Sequence, residues 1–258
     1  LERFSMRGVS YVNQLYGPDQ ELKILQRRDA RFVNTAMMVT LLGAAVSDGL
    51  EDGRVVSGVG GQHNFVTQAF ALPDARSILT VKSTRRSGGR VQSNIRWNYG
   101  HTTVPRHERD IVISEYGIAD LRGKKDADVI AAMLSIADSR FQPELLRVAK
   151  DAGKIAKAYE IPAAYRNNTP DRIEKALAPF DLPPFPAGTD FTPVEQRLLP
   201  ALEKLQHATP GQIVALALKG LFRAPSTDAA AALSRMGLDK PNSVKDRFYR
   251  ALVGGALE

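Results

Sequence analysis

Apolar positions in the first 160 residues come in short blocks, and beyond residue 190 they follow helical stripes. Asp19 to Arg28 fits a short helix that starts from a capping aspartate and buries Leu22 and Leu25. Periodicity alone leaves Phe32 to Val46 open between helix and strand. Arg54 to Ser57 leads into a glycine loop, after which Asn64 can cap a helix running through Phe70. Ser77 to Ser83 and Val91 to Trp97 read as two strands around the turn Ser87-Gly88-Gly89. Asp110 to Ser114 is a short buried strand that delivers Glu115 to its C-terminal end. Helices follow from about Asp126 to Ala137 and from Pro143 to Ala152. Strands alternating with helices predict an α/β fold with a mainly parallel sheet. Ligands of such sheets sit beyond the carboxyl ends of the strands.

The texture changes after Glu160. Pro179, Pro183, Pro184 and Pro186 crowd a linker-like stretch. Thr192-Pro193-Val194-Glu195 and Thr209-Pro210-Gly211-Gln212 are capping boxes with proline at the first helical position. They predict helices over Pro193 to Gln206 and Pro210 to Phe222, with two more near Thr227 to Met236 and Ser243 to Val253. The expected organisation is an α/β domain over 1–160, a helix and Pro-rich linker over 161–190, and a C-terminal helical appendage over 191–258.

The composition narrows the functional classes. A chain of 258 residues with 43% hydrophobic and 24% charged residues is an ordinary globular protein. It has no cysteine, which excludes disulfides and thiolate chemistry and fits a cytoplasmic setting. The most apolar run, Thr35 to Val46, is too short to span a bilayer, so no membrane partner is expected. The opening Leu1-Glu2-Arg3 suggests a piece of something longer, and the closing Leu257-Glu258 resembles an expression scar. The net charge of +7 favours anionic partners. The basic residues are scattered without a nucleic-acid recognition motif, so nucleic acid ranks last.

Two blocks could carry chemistry: Ser57-Gly58-Val59-Gly60-Gly61-Gln62-His63-Asn64-Phe65 and Glu115-Tyr116-Gly117-Ile118-Ala119-Asp120-Leu121-Arg122-Gly123. The first is neither the dinucleotide fingerprint, since His63 stands where a third glycine belongs, nor a phosphate loop. Its glycines can turn successive N–H groups towards one point, as the developing oxyanion of acyl transfer requires, or can simply form a tight turn. Glu115, at a strand end, is expected to be partly desolvated with a raised pKa, or else to pair with an arginine and hold the turn. Asp120 and Arg122 can pair with one another to shape the loop. His63 lies beside the glycine loop, and the polar stretch Asn98 to His107 can reach the same cleft. No histidine spacing fits a metal site.

Together the two blocks resemble the C-terminal half of the acetyl-CoA hydrolase/transferase family, relatives of the glutamate-dependent CoA transferases. The family's Gly-Ile/Val-Gly-Gly loop looks like Gly58 to Phe65, and its Thr-Glu-x-Gly-x-Ala-Asp-Leu-Arg-Gly run resembles Ser114 to Gly123, with Ser in place of Thr. Asn34-Thr35-Ala36 is similar to an Asn-containing strand of the family, which tips Phe32 to Val46 towards a strand pair. The resemblance covers Arg31 to Lys150, is weak before Arg31 and ends at the linker.

The resemblance implies a CoA-transferase-like sheet and an acyl-CoA hydrolase or CoA transferase working through a glutamyl intermediate. Glu115, Gly60 and Gly61 would be its catalytic residues, and Gly58, Val59, Gln62, His63 and Asn34 its substrate- or CoA-binding residues. Asn13 matches an upstream asparagine of the family only with an insertion. The family's nucleophilic glutamate lies farther upstream of the loop than the 57 residues before Gly58 allow, and Glu2 and Glu21 do not sit in its motif. The resemblance therefore implies a nucleophile outside this chain, carried by an N-terminal domain, without which turnover is not expected. The coenzyme A thioester is expected as substrate and not as a permanently bound cofactor, with a small carboxylate as second substrate. A second copy of the chain, as a homodimer, is a candidate partner. The alternative is a non-catalytic CoA- or nucleotide-binding regulatory domain.

Overall fold

The parallel strands expected from the sequence form the centre of a four-stranded sheet in the computed structural model, which describes residues 6–257 apart from Asp181, Pro184 and Ala187. Leu1-Glu2-Arg3, Pro184 and Glu258 lie outside the described residues. The chain divides into two units, Leu1–Asp181 and Leu182–Glu258.

The first unit opens with α1 (Val9–Asn13) and α2 (Gln20–Gln26), followed by β1 (Arg31–Thr35), β2 (Met38–Thr40), β3 (Ala45–Val46) and α3 (Gln62–Ala71). Then come β4 (Arg76–Thr80), β5 (Thr84–Ser87), β6 (Arg90–Ser93), β7 (Ile95–Arg96), β8 (Ile111–Ser114) and β9 (Gly117–Asp120). It closes with α4 (Asp126–Ser135), α5 (Gln142–Asp151) and α6 (Pro170–Leu177). The main sheet has the order β1-β4-β8-β9, parallel except for β9. A smaller sheet, β3-β2-β7, and the hairpin β5-β6 complete the strands. One face of the main sheet buries Leu79, Val112 and Ala119, clustered with Val129, Ile130, Met133 and Leu134 of α4. The opposite face leaves Val33 and Ile118 63% and 67% exposed.

Several local expectations need correction. The short helix near residue 20 exists, but Leu22 and Leu25 are exposed and Lys23 is buried instead. The Lys23 ammonium reaches the Gln14 carbonyl at 3.2 Å and lies 4.3 Å from the Tyr11 ring centroid. Asp19 does not cap α2 with its side chain; it sits at φ 57° and accepts the Tyr11 hydroxyl at 2.9 Å. Asn64 lies inside α3, not at its cap, because Gly60 (φ +56°) turns the chain early enough for Gly61 to be the N-cap. The glycine turn at Gly88-Gly89 joins β5 to β6, and not the strand Arg76–Thr80, which belongs to the main sheet.

The second unit contains α7 (Pro193–Gln206), α8 (Pro210–Phe222), α9 (Thr227–Arg235) and α10 (Val244–Leu257). Both capping boxes form, Thr192 with Glu195 and Thr209 with Gln212. In each, the threonine oxygen accepts the N3 amide while the N3 side chain takes the cap amide, so two orphan donors are satisfied reciprocally. The closest helix contact joins α8 to α10. A Cβ on Gly220 would lie 1.8 Å from the Ala251 carbonyl oxygen, and one on Gly255 would lie 1.9 Å from that of Leu216. Neither obstacle is a side chain that could rotate away. Gly220→Ala is therefore expected to force the helices apart and destabilise this unit by about 3 kcal/mol. The check is chemical denaturation of the wild-type and variant chains followed by helical signal; a loss below about 0.5 kcal/mol would contradict the packing.

Candidate functional site

The strand β1 leads through the smaller sheet and α3 into its parallel neighbour β4, so α3 runs back against the strand direction. Its N-terminus therefore stands at the carboxyl ends of β1, β4 and β8, and Gln62 Nε2 approaches the Thr35 carbonyl at 3.5 Å. The glycine loop and Glu115, which directly follows β8, are thus brought to the same edge of the sheet.

Residues 57–60 are exposed, and a Cβ on Gly58 or Gly60 would meet nothing within 4 Å. The amide N–H groups of Gly58, Val59, Gly60 and Gly61 donate to no acceptor among the described residues. Four consecutive free donors at the head of a ten-residue helix favour negative charge, both by direct hydrogen bonding and through the helix dipole. Gly61 is closely packed, however: a Cβ there would lie 2.7 Å from Asn13 Nδ2 and 2.9 Å from Phe65 Cε2. The structure thus brings Asn13, distant in sequence, against the loop.

A cleft of about 520 Å³ opens beside the strand ends, lined among others by Thr35, Ser47, Ser57, Lys82, Arg85 and Asn94. Lys82 and Arg85 supply its positive charge, and no carboxylate is among its lining residues. The Lys82 ammonium has no hydrogen-bond or ion-pair partner among the described residues. Arg85 donates to Asn94 Oδ1 at 2.5 Å; burial, and secondarily the charge of Arg96, lower its pKa. Sequence reasoning missed both cations. The only available signal was their position just after an apolar strand.

The remaining site candidates divide. His63 lies 3.3 Å from Glu108 and lines a different pocket, of about 330 Å³, with Asn13, Asn64 and Thr67. Asn34 shares a strand face with Phe32, which stacks on Phe65 of α3 at 5.6 Å, so it lies beneath that helix. Its Nδ2 is buried without a hydrogen-bond partner. Glu115 is exposed, contrary to the expectation of a desolvated carboxylate, because β8 ends one residue before it. It accepts the Ser83 amide at 2.8 Å and the Ser83 hydroxyl at 2.6 Å, so serine holds it and not arginine. The stretch Asn98 to His107 does not line the cleft: His101 bonds Asp48 at 3.1 Å, and His107 lines a separate cavity.

Much of the second block is structural. Ser114 Oγ donates to the Ile136 carbonyl, and the Tyr116 hydroxyl donates to Asp138 at 2.9 Å. Burial and that bond raise the Tyr116 pKa. Asp120 and Arg122 do not pair with each other: Asp120 binds Arg76 at 2.6 Å, and Arg122 binds Asp110 at 2.6 Å. Asp120 closes β9 while Arg122 lies beyond it, and each finds its partner on another segment. Among the described residues, no group of three or more His, Cys, Asp or Glu side chains could hold a metal, and no helix is long and apolar enough to cross a membrane.

Residues 1–149 match the model of the acetyl-CoA hydrolase/transferase C-terminal domain. The match extends the likeness through the residues before Arg31, including Asn13. A 4-hydroxybutyrate coenzyme A transferase of Clostridium kluyveri is 30% identical over 142 residues, 54% of this chain and 31% of the relative. A succinyl-CoA:cyclohexane-1-carboxylate CoA transferase of Geobacter metallireducens is 26% identical over 155 residues, 59% of this chain and 34% of the relative. Among solved structures, RipA from Yersinia pestis aligns at 29% identity with a TM-score of 0.48, over 56% of this chain and 31% of that one. The chain thus spans about a third of the length of the curated relatives it matches. With its glycine loop at the head of α3 and its Ser-Glu-Tyr-Gly run at the end of β8, the chain belongs to the acetyl-CoA hydrolase/transferase family through that family's C-terminal domain.

Proposed function

We propose that this chain forms the C-terminal half of an acyl-CoA hydrolase or CoA transferase, binding the thioester at the glycine loop and the adjoining cleft. The observation that carries the reading is the run of four free amides, Gly58 to Gly61, beside a cleft whose charges are Lys82 and Arg85. In the proposed reaction a glutamate attacks the thioester carbonyl, the C–S bond breaks, and CoA leaves as a thiolate while an acyl-glutamyl anhydride forms. Negative charge grows on the carbonyl oxygen as the tetrahedral centre forms, and amides already fixed in place stabilise it without reorganisation. The thiolate then attacks the glutamyl carbonyl of the anhydride, which expels the first acyl group as its carboxylate and leaves CoA as a glutamyl thioester. An acceptor carboxylate attacks that thioester, and the released thiolate takes the new acyl group from the second anhydride and frees the glutamate; in a hydrolase, water cleaves the glutamyl intermediate instead. Gly60 and Gly61 would face the thioester; Gly58, Val59 and Gln62 would flank it. His63 would contribute from the pocket it shares with Asn13, and Asn34 from beneath α3.

The absence of a carboxylate from the cleft lining supports a nucleophilic glutamate supplied from outside this chain. So does the engagement of Glu115 by Ser83, which casts Glu115 as an acid that orders the Lys82–Ser83 turn beside the substrate. The exposed sheet face at Val33 and Ile118 supports a further domain of the same polypeptide as partner, since parallel sheets are ordinarily covered on both faces. A small carboxylate acceptor, a homodimeric assembly and a cytoplasmic location are part of the same proposal. The same bare cleft also suits the second reading, a CoA-binding regulatory domain without chemistry.

Calorimetric titration of CoA into this chain tests the site. Lys82→Glu is expected to weaken binding about tenfold, the loss of one charge-assisted contact. Binding unchanged in Lys82→Glu would remove the cleft from the proposal. Tight binding with no turnover even in the complete polypeptide would favour the regulatory reading.

A further inference from the structure

At the opposite edge of the main sheet, cations crowd a cavity that the acyl-CoA reading leaves unused. Arg106 and Arg109 stand just before β8, while Arg122 and Lys124 follow β9, which runs antiparallel to it. With Phe70, in the last turn of α3, they enclose about 420 Å³. Phe70 follows Gln62 by eight steps of α3, so the cavity is about 12 Å along the helix from the glycine loop.

The charge in this cavity is poorly balanced. Four cations line it against one carboxylate, Asp126. Asp126 is already divided among Arg106, Arg109 and Lys154, each at 3.3 Å. Burial works against its charge, yet hydrogen bonds from Lys154 and Arg109 and the field of Arg106 hold its pKa below the usual carboxylate value. Lys124 has no ion-pair partner among the described residues. The Arg122 guanidinium is fixed by Asp110 and lies 4.3 Å from the Phe70 ring centroid, with its Nε buried and without an acceptor. Like charges gathered in a concave site repel one another, and a bound anion relieves that repulsion.

We propose that this cavity binds a diphosphate group, carried by a nucleotide or free as pyrophosphate, at a site separate from the acyl-CoA cleft. A diphosphate offers several oxygens to the Lys124 ammonium and to the Arg106 guanidinium, whose Nη2 has no acceptor among the described residues, while Arg109 and Arg122, held by protein acceptors, add positive charge. Arginine forks engage phosphate oxygens bidentately, and Lys124 adds a point charge. Phe70 is 40% exposed and supplies an aromatic face at the rim where a nucleobase can stack.

The test is titration of pyrophosphate and of ADP into the chain and into Lys124→Glu, Arg106→Glu and Lys82→Glu variants of matched melting temperature. Both diphosphate probes are expected to bind one site, with Kd rising about tenfold or more in the Lys124 and Arg106 variants and unchanged in Lys82→Glu. If ADP binds more tightly than pyrophosphate and loses that advantage in Phe70→Leu, the source is a nucleotide; equal affinities assign the free diphosphate. No saturable binding at millimolar probe, binding indifferent to Lys124 and Arg106, or binding lost in Lys82→Glu would each overturn the proposal.

Discussion

Replacing Gly61 by valine in the polypeptide that carries the complete site is expected to lower acyl-CoA turnover by about 100-fold or more, the scale of losing an oxyanion donor. The backbone at Gly61 is ordinary, with φ −89° and ψ 6°, so the effect does not come from backbone strain. It comes from the new Cβ, which would press on Asn13 Nδ2 at 2.7 Å and on Phe65 at 2.9 Å and displace the free amides. Gly60→Ala is the informative contrast. Gly60 has open space around it but a φ of +56°, so alanine there costs about 1 kcal/mol of backbone energy without a clash. Steady-state kinetics on both variants, with melting temperatures, separate the two causes. Unchanged turnover in Gly61→Val would remove the glycine loop from the reaction.

Asp110→Ala is expected to cost the α/β unit about 3–5 kcal/mol, the scale of breaking a buried ion pair from one side. Its side chain is 1% exposed and sits between Arg76 and Arg122, at 2.7 and 2.6 Å. It also accepts the Ser77 amide at 2.7 Å, which places it at the start of β4. Alanine would leave that buried amide without its acceptor. It would also take one carboxylate partner from each guanidinium, leaving Arg76 with Asp120 and Arg122 with the Ala69 carbonyl. For a unit of this size the loss corresponds to a melting temperature about 10 °C lower. Calorimetry on the wild-type and variant chains checks it, and a shift under about 2 °C would contradict the structural role given to this carboxylate.

Local chemistry was legible where it acts within a few residues. The two capping boxes fixed the starts of α7 and α8 because Thr192 and Thr209 choose partners three residues away. The apolar run Ile111-Val112-Ile113 announces β8, and the alternation of strands and helices points both blocks to the carboxyl ends of the strands. What escaped was set by distant partners. Asp120 finds Arg76 across 44 positions, so its neighbour Arg122 was the wrong choice. Ser83 claims Glu115 from 32 positions away. Lys23 is buried because Tyr11 and Gln14 fold over it, which inverts the apolar face expected of α2. Asn13 reaches Gly61 only through the packing of the short helices before β1. Lys82 and Arg85 became site residues once β4 was seen to end at the cleft.

In the proposed function this chain supplies the thioester site, and the nucleophile comes from elsewhere. Release of free CoA thiol from acetyl-CoA by residues 1–258 alone, with and without short carboxylates, tests it most directly. The account predicts binding of acetyl-CoA that Lys82→Glu weakens, no thiol release above background, and turnover once the rest of the polypeptide is present. Thiol release by the chain alone, abolished in Glu115→Gln, would contradict it and make Glu115 the attacking group.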